Sequence, residues 1–374
     1  MITIERVETG RGRKEFAEFP NRLYKGEPLY IPAFYSDSLA AMNPSKHFAY
    51  EFCEARFYLA KKDGIVVGRI GAIINHKADE KWNTRQMRFW NVDFVNDMEI
   101  SAALFKVVEE WAKERECTEI VGPLGFTDLD PEGMLVDGFD EEGIFCTYYN
   151  YPYYVDHLKA LGYEKDADWV EYKLNLQEGE ETAGTIERMA EFSGRVYKLH
   201  LKEMTSVKDI GNAAPDIVRL INLCYRDLYG TTDMDIAQGT EYFKSFQIIL
   251  DYRTSAIVYN ESGELVGFAL SIPNISDAIK KSGGRLFPLG WFRILRKVKK
   301  NDEQIALLIG VHPDYQSKGV ISLIINHMMK AFRRLGIRSC RCCPMLEENS
   351  KVLSLMNVVP SKPCRRRRSF IKHL

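Results

Sequence analysis

Residues 304–332 read QIALLIGVHPDYQSKGVISLIINHMMKAF, and this stretch decides the fold of the second half of the chain. An apolar run long enough for a buried strand is followed by a short polar turn and then by apolar residues at helical spacing. We expect a strand at 304–311, a turn that ends at Gly319, and an amphipathic helix that ends before Gly336. The apolar stripe of that helix is formed by Ile321, Ile324, Ile325, Met328, Phe332 and Leu335.

A strand, a glycine turn and a helix in this order can build a phosphate site from backbone alone. The first amides of a helix have no partner within the helix and carry partial positive charge. Anions bind there, and glycine allows the backbone to approach them closely. Lys318 adds a positive side chain to the turn. The sequence therefore predicts an anion-binding loop at 316–320.

The length and composition favour two domains. A chain of 374 residues exceeds the range in which one hydrophobic core usually keeps growing. Its 45% hydrophobic and 28% charged residues are ordinary for a globular protein, and its net charge of −1 gives no general attraction to nucleic acid. The chain opens without an apolar signal segment, has no run that reaches a membrane span, and has only eight cysteines. We expect a cytoplasmic protein with reduced thiols and no metal site.

The two halves share one order of elements. Hairpins are predicted at Asp63-Gly64 and at Ser262-Gly263, and each is followed by a central strand and an amphipathic helix. The acidic segment 177–184 between them has the composition of a linker. This pattern indicates one α/β unit used twice.

Val311-x-Pro313-x-Tyr315-Gln316-x-x-Gly319 resembles the coenzyme A loop of the GNAT acetyltransferase family, usually written Arg/Gln-x-x-Gly-x-Gly/Ala. The whole chain is similar to a group of bacterial tandem GNAT proteins, through FPNRLYKGEPLYIP at 19–32, GRLFPLGW at 284–291 and CRRRRSFIK at 364–372. The resemblance implies two tandem GNAT-like domains of the α/β class, each with a mixed sheet. Residues 1–178 would form a degenerate domain without the loop, and residues 185–374 the domain with it.

The resemblance also implies acetyl-CoA or another acyl-CoA as the cofactor. In that family the strand before the loop separates from its neighbour and its free backbone groups pair with pantetheine, while the loop amides hold the pyrophosphate. The implied cofactor-binding residues are Ile309, Gly310, Val311, Gln316, Ser317, Lys318, Gly319, Val320 and Asn349. Two positions depart from the family pattern. Ile321 stands where a small residue is usual, and the helix after Asn349 lacks the tyrosine that often serves as general acid.

The first half has carboxylates where the second has its loop. Asp97 and Glu99 occupy the start of the corresponding helix, and carboxylates compete there for the positive end that a pyrophosphate needs. We therefore expect the fold without the cofactor site. The segment 128–140 opens like a calcium loop but has Phe139 where the twelfth-position glutamate is required, so we expect a solvated or substrate-facing loop.

Acetyl transfer to an amine requires a base for the amine and a proton for the departing thiolate. We choose Glu347 as the base, since it lies between the fifth strand and the Asn349 helix, although an exposed carboxylate with no role explains it equally well. Tyr225 and Tyr229 are expected one turn apart on a helix of the acceptor side. Tyr229 is our second catalytic residue, although tyrosines at this spacing are often core.

The sequence leaves the roles of two basic segments open. The stretch 274–302 is longer than a hairpin needs and combines Phe287, Leu289, Trp291 and Phe292 with many basic residues. It can be a lid beside the cleft, a contact for a membrane surface or RNA, or a helix packed on the domain with a solvated basic face. The four arginines at 365–368 suggest polyanion binding, whereas SFIK after them suggests a last strand whose alternate residues face solvent.

These observations predict an acyl-CoA-dependent N-acyltransferase that acts from the second domain on a small-molecule or peptide amine. Nucleic acid is not expected as a partner, and a homodimer is left open. A non-catalytic protein that binds acyl-CoA or another ligand is the first alternative, favoured by Ile321 and the missing tyrosine. An aminoacyl-tRNA-dependent transferase is the second, and it requires the basic stretch and the arginine tail to form one groove.

Overall fold

The computed structural model describes residues 1–176 and 180–374, without the side chains of residues 180–182, 245 and 246. The chain divides into two compact units. The first contains Met1–Val170, Ser276–Ile294 and Arg365–Leu374, and the second contains Glu171–Ile275 and Leu295–Cys364. The sequence predicted two domains that are each continuous in the chain, 1–178 and 185–374. The first unit is not continuous, because two later segments of the chain also belong to it. The predicted linker at 177–184 begins outside the described residues.

The chain up to residue 176 forms a mixed sheet with helices. Its elements are β1 (Ile2–Arg6), α1 (Gly10–Leu23), α2 (Tyr35–Ala41), β2 (Cys53–Lys62), β3 (Ile65–Asn75), α3 (His76–Trp82), β4 (Gln86–Phe94), α4 (Met98–Glu114), β5 (Glu119–Gly122), β6 (Met134–Asp137), α5 (Tyr153–Ala160) and β7 (Glu164–Asn175). Strands β1 to β5 pair in chain order.

The elements after residue 179 are α6 (Glu180–Val196), β8 (His200–Leu201), α7 (Val207–Cys224), α8 (Ile236–Phe246), β9 (Ala256–Tyr259), β10 (Leu265–Pro273), α9 (Ser276–Lys281), α10 (Gly290–Lys299), β11 (Glu303–Val311), α11 (Val320–Leu335), β12 (Ser339–Cys342), β13 (Met345–Leu346), α12 (Ser350–Leu355) and β14 (Ser361–His373). In the second unit the strand order is β12-β11-β10-β9-β8, and the end of β7 pairs with β12. In the first unit β14 pairs with β5 and β6.

The two units repeat one motif, which confirms the prediction of an α/β unit used twice. In the first unit β3 pairs antiparallel with β4, α4 follows, and β5 returns parallel to β4. In the second unit β10, β11, α11 and β12 have the same order and the same directions. Both antiparallel pairs contain a register shift, at Arg69/Gly71 and at Leu270/Ser271. The class is the expected α/β class with mixed sheets.

The cores form where the amphipathic helices cover the sheets. In the first unit Ile100, Leu104 and Trp111 of α4 are buried against the sheet, as their helical spacing predicts. In the second unit Val320 and Ile324 of α11 are fully buried. Cys340 and Cys342 are buried on β12, and all eight cysteines are free thiols. The cysteine cluster is thus a strand that uses cysteine as a small apolar residue.

The arginine tail forms the last strand, as SFIK predicts, and its arginines alternate between buried and half-buried. Arg365 and Arg367 are buried on β14. Arg366 and Arg368 are half-buried and bind the buried carboxylate of Asp168 at 3.3 and 2.7 Å. The two half-buried arginines of the tail are therefore paired with a carboxylate within the protein.

The segment 128–140, expected to be a solvated or substrate-facing loop, is solvated in part: Asp137 and Asp140 are exposed, whereas the carboxylates near its start are half-buried. Residues Met134–Asp137 form β6, and Asp130 accepts a hydrogen bond from the Thr127 amide at 3.0 Å. Burial raises the pKa of Asp130 to about 6. Burial, together with the negative charge of Asp128, also raises the pKa of Glu132.

No helix in the described part of the chain combines the length and the apolar character that a membrane crossing requires.

Candidate functional site

Strand β11 leaves its parallel neighbour β12 halfway along its length. Pairing of β11 with β12 runs from Glu303 opposite Ser339 to Ala306 opposite Cys342, and the Cys343 amide still donates to Ala306 at 3.1 Å. Beyond this point β11 keeps its pairing with β10 alone, up to Val311 opposite Gly267. The separation at 307–311 is the arrangement that the sequence led us to expect. Among the residues that the structure describes, no strand pairs with the other edge of 307–311.

The carbonyls on this edge accept hydrogen bonds from the end of α7. The Tyr225 hydroxyl donates to the Ile309 carbonyl at 3.0 Å, and the Cys224 thiol donates to the Val311 carbonyl at 3.2 Å. Burial raises the pKa of the Cys224 thiol to about 11, so the thiol keeps its proton. Each carbonyl oxygen has a second lone pair. A ligand amide that pairs with this edge therefore either shares these carbonyls or displaces the two side chains.

The turn after β11 leaves a row of backbone amides without an acceptor. A short 3-10 turn at Pro313–Tyr315 leads to Gly319, which has φ +72° and precedes α11. The amides of Gln316 and Lys318 donate to the carbonyls of Pro313 and Tyr315. The next amides have no acceptor in the part of the chain that the structure describes; they belong to Ser317, Gly319, Val320 and Ile321. No side chain caps this helix start.

Such amides have the direction and partial charge that a phosphate group needs. The sequence predicted the amides of 316–320 as the donors to an anion. The Gln316 and Lys318 amides already donate to carbonyls of the turn, whereas the Ile321 amide is an additional donor without an acceptor among the described residues. Ile321 itself is half-buried.

Glycines fix the height of the helix start above the sheet. A Cβ on Gly267 would lie 2.4 Å from Cγ1 of Val320, so only glycine lets the first residue of α11 press onto β10. Gly310 has a similar role, since its Cβ would lie 2.7 Å from the Phe268 ring. The loop is tied to the β9–β10 hairpin by the Asn260 side-chain amide, which donates to the Tyr315 hydroxyl at 2.9 Å.

Gly319 is also required by a neighbouring helix. A Cβ on Gly319 would lie 2.0 Å from Oγ of Ser193, a buried residue of α6. The sequence explains this glycine by the approach of a phosphate, and the structure adds the approach of α6. Any larger residue here would disturb the fold as well as the loop.

Two lysines lie at the loop, and the sequence analysis identified only one of them. The Lys318 ammonium lies 4.2 Å from the centroid of the Tyr315 ring. The Lys351 ammonium donates to Oε1 of Gln316 at 2.9 Å, and Nε2 of Gln316 approaches the Val311 carbonyl at 3.4 Å. Lys351 is two residues after Asn349, so a basic residue in the first turn of that predicted helix was the available signal.

Asn349 stands at the start of α12, as expected. Its side chain accepts from the Val352 amide at 3.3 Å and caps this short helix. Glu347 is exposed in the turn between β13 and α12. Tyr229 corrects an expectation: α7 ends at Cys224, Tyr225 is its C-cap, and Tyr229 lies half-buried in the following turn. The two tyrosines therefore do not share a helix face.

The first unit closes the equivalent helix start with its own carboxylate. Asp97 is the N-cap of α4, accepts from the Glu99 amide at 3.0 Å, and binds the Lys62 ammonium at 2.9 Å. The hydrogen bond from Lys62 lowers the pKa of Asp97. A negative group thus already occupies the positive end of α4.

The donor set at the start of α11 fits the pyrophosphate of an acyl-CoA. Four amides without acceptors, a glycine in the left-handed region and the ammonium groups of Lys318 and Lys351 form one donor-rich loop beside a free strand edge. The chemistry is that of an anion site rather than a metal site. Within the described residues no group of His, Cys, Asp and Glu side chains is arranged to hold a metal ion.

Comparison with known proteins agrees with this geometry. Residues 214–355 match the model of the acetyltransferase (GNAT) family, and this range contains β11, the loop, α11 and Asn349. The chain is 24% identical over 377 residues to protein YghO of Escherichia coli K12, covering 96% of this chain and 93% of that protein. It is 26% identical over 345 residues to a bacterial ceramide synthase of Caulobacter vibrioides, covering 90% and 87% of the two chains.

Solved structures share the fold across both units. A tandem GNAT protein from the clavulanic acid biosynthesis pathway has a TM-score of 0.58 at 12% identity, covering 100% of this chain and 98% of that one. A GCN5-related N-acetyltransferase from Sphaerobacter thermophilus has a TM-score of 0.54 at 10% identity, with 100% and 95% coverage. Residues 214–355 are therefore similar to the GNAT acetyltransferase family, and the chain has the fold of tandem GNAT proteins, which confirms the resemblance found in the sequence.

Proposed function

We propose that this protein is an N-acyltransferase that uses an acyl-CoA bound at the second unit and transfers the acyl group to an amine. The observation that carries the proposal is the row of amides without acceptors at the start of α11, next to the edge where β11 has left β12. The equivalent helix start in the first unit is closed by Asp97. We therefore assign the cofactor to the second unit alone.

In this proposal each part of the loop has a separate task. The amides at 317 and 319–321, with Lys318, bind the pyrophosphate, and Gln316 holds Lys351 near it. The Ile309–Val311 edge orients the pantetheine arm, and Asn349 fixes the helix that follows. Glu347 takes a proton from the amine, and Tyr229 gives a proton to the departing thiolate. The bound cofactor supplies the thioester whose acyl group is transferred.

The similarity to a ceramide synthase suggests the class of acceptor. Ceramide formation joins an acyl group to the nitrogen of a long-chain amino alcohol, which is an amine acylation of the kind proposed above. The similarity extends over 90% of this chain, so it includes both units. We propose a long-chain amine as the acceptor, which narrows the small-molecule or peptide amine that the sequence left open.

Lys318→Glu is expected to weaken the binding of acetyl-CoA by about tenfold to a hundredfold, because it turns an attraction for the pyrophosphate into a repulsion. Isothermal titration of the full-length protein measures this directly. Lys208→Glu is the matched control: it makes the same charge change in the first turn of α7, about 24 Å along the helix from Cys224 by the rise per residue. An equal loss in both variants would contradict a site at the loop.

Glu347→Gln is expected to lower kcat by about a hundredfold or more while acyl-CoA affinity is retained, because a general base acts on the amine and not on the cofactor. Release of coenzyme A with sphinganine as acceptor is followed by mass spectrometry. Glu348→Gln, the adjacent exposed carboxylate, is the control and should retain activity. If both variants transfer at the rate of the unaltered protein, Glu347 is not the base.

The same assay separates the alternatives. Transfer to small polar amines but not to sphinganine would retain the enzyme and refute the proposed acceptor. Tight binding of acyl-CoA without transfer to any amine would favour the non-catalytic alternative.

A further inference from the structure

The segment 276–294 is held firmly at its base and ends in exposed apolar side chains. The base belongs to the first unit. The Tyr35 amide donates to the Gly284 carbonyl at 2.9 Å, and the Phe145 amide donates to Oγ of Ser276 at 3.1 Å. A Cβ on Gly284 would lie 2.1 Å from the Ala33 carbonyl oxygen, so the chain passes in close contact there. The base is thus a fixed support.

The tip beyond this base exposes large apolar groups in one short run. The exposed fractions are 77% for Phe287, 58% for Leu289, 46% for Trp291 and 56% for Phe292. On α10 only Gly290 and Ile294 are buried. The expectation that this helix packs its apolar residues on the domain therefore holds for one side only. Contiguous exposed aromatic and aliphatic groups mark a contact site rather than an ordinary surface.

Basic residues flank this tip along the chain. Residues 278–300 contain eight lysines and arginines and no aspartate or glutamate, in a chain whose net charge is −1. Phe292, Arg296 and Lys299 are exposed and follow one another at helical spacing of four and three, so they share one face of α10. Within the described residues no carboxylate forms an ion pair with Arg296, Lys299 or Lys300. The positive charge is therefore available to an outside partner.

We propose that the tip at 287–292 and the basic face of α10 dock this protein onto an anionic phospholipid surface. Leu289 and the three aromatic side chains enter the interface between head groups and acyl chains, and the arginine and lysine side chains bind the lipid phosphates. RNA binding would also use basic and aromatic groups, but it would not require the exposed aliphatic side chain of Leu289 close to Phe287. The combination of aliphatic, aromatic and basic groups favours the lipid surface.

This docking surface is independent of the proposed acyl transfer. It needs neither the loop at 316–320 nor a catalytic residue, and it is a peripheral contact rather than a membrane span. A protein that fails to transfer acyl groups can still bind vesicles, and the two proposals are tested by different measurements.

The test is sedimentation of the full-length protein with vesicles of equal parts phosphatidylcholine and phosphatidylglycerol, compared with vesicles of phosphatidylcholine alone. We expect binding to the anionic vesicles to be at least about tenfold stronger and to fall as salt is added. The triple variant Phe287→Ser, Leu289→Ser, Phe292→Ser should reduce binding at least about tenfold. The double variant Arg296→Glu, Lys299→Glu should have an effect of similar size.

Matched controls change exposed residues elsewhere. Ile65→Ser removes an apolar side chain that is 67% exposed at the β2–β3 turn, and Lys106→Glu reverses a charge whose side chain is 74% exposed on α4. Both should bind vesicles like the unaltered protein. A blue shift of tryptophan fluorescence on vesicle binding, lost in Trp291→Phe while sedimentation is retained, would place Trp291 in the lipid.

Failure to bind either kind of vesicle would overturn the proposal. So would binding that the tip and charge variants leave unchanged, or binding of RNA in place of vesicles that the same variants abolish.

Discussion

Asp168→Ala is expected to lower the free energy of unfolding by about 3 kcal/mol, because it removes the carboxylate that three cations share. The side chain of Asp168 is 1% exposed, and its oxygens lie 2.9 Å from Lys165, 3.3 Å from Arg366 and 2.7 Å from Arg368. Without it, cations held at β14 lose their partner. Chemical denaturation followed by the fluorescence of the adjacent buried Trp169 measures the change.

The pH dependence provides a second measurement for the same residue. Burial alone would raise the pKa of Asp168, but hydrogen bonds from Arg368 and Lys165 outweigh it and lower the pKa to about 2. Because the pKa is lower in the folded state, the carboxylate stabilises the fold above its unfolded pKa of 3.8, and this contribution is lost as the pH falls toward 2. The stability difference between the unaltered protein and Asp168→Ala should therefore narrow in acid.

An exposed carboxylate of the same unit, Asp156 on α5, gives the control. Asp156→Ala should change the stability by less than about 0.5 kcal/mol. If the loss of unfolding free energy in Asp168→Ala stays constant down to acid pH, Asp168 stabilises the fold through packing and not through its charge.

Gly319→Ala is expected to lower the free energy of unfolding by about 2–5 kcal/mol, from two separate causes. A residue with a Cβ at φ +72° is strained by about 1–2 kcal/mol. The added Cβ would also lie 2.0 Å from Oγ of Ser193, and crowding of this kind costs about 1–3 kcal/mol. Thermal or chemical denaturation measures the sum.

Two further variants separate these causes. Ser193→Gly in the same chain should recover the crowding part but not the backbone part, as a double-mutant cycle would show. Gly336→Ala, at the other end of α11, has φ +71° and no neighbour within 4 Å of the added Cβ, so it should lose only the backbone part. If Ser193→Gly restores nothing, the approach of α6 is not what requires glycine at this position.

This pair of variants also bears on the choice of a probe for the cofactor site. A bulky substitution at Gly319 would displace α6 or α11. A loss of acyl-CoA binding in such a variant would therefore not show that the loop holds the pyrophosphate. The charge change at Lys318 leaves that packing intact and tests the loop itself.

Much of the site was predictable because its signals are local. The hairpin at Asp63-Gly64, the turn that ends at Gly319 and the helix start at Asn349 each depend on a few adjacent residues whose backbone preferences are strong. The alternation of strand, turn and helix in 304–332 fixed the repeated motif for the same reason. Lys351 was missed because its relevance comes from its bond to Gln316, a contact 35 residues away in sequence.

The resemblance of its motifs indicated the GNAT type. The sequence by itself determined that one α/β unit is used twice, with a strand, a glycine turn and a helix in the second half and carboxylates at the corresponding helix start in the first. Periodicity, capping and turn chemistry suffice for that, since each acts within a few residues. Only the tertiary structure decided where long-range partners lie. It buried Arg367 and gave Arg366 and Arg368 to Asp168, it placed Ser193 against Gly319, and it left Phe287 exposed. The physical reason is that burial and ion pairing depend on which distant segments of the chain come into contact, and local sequence patterns do not specify those contacts.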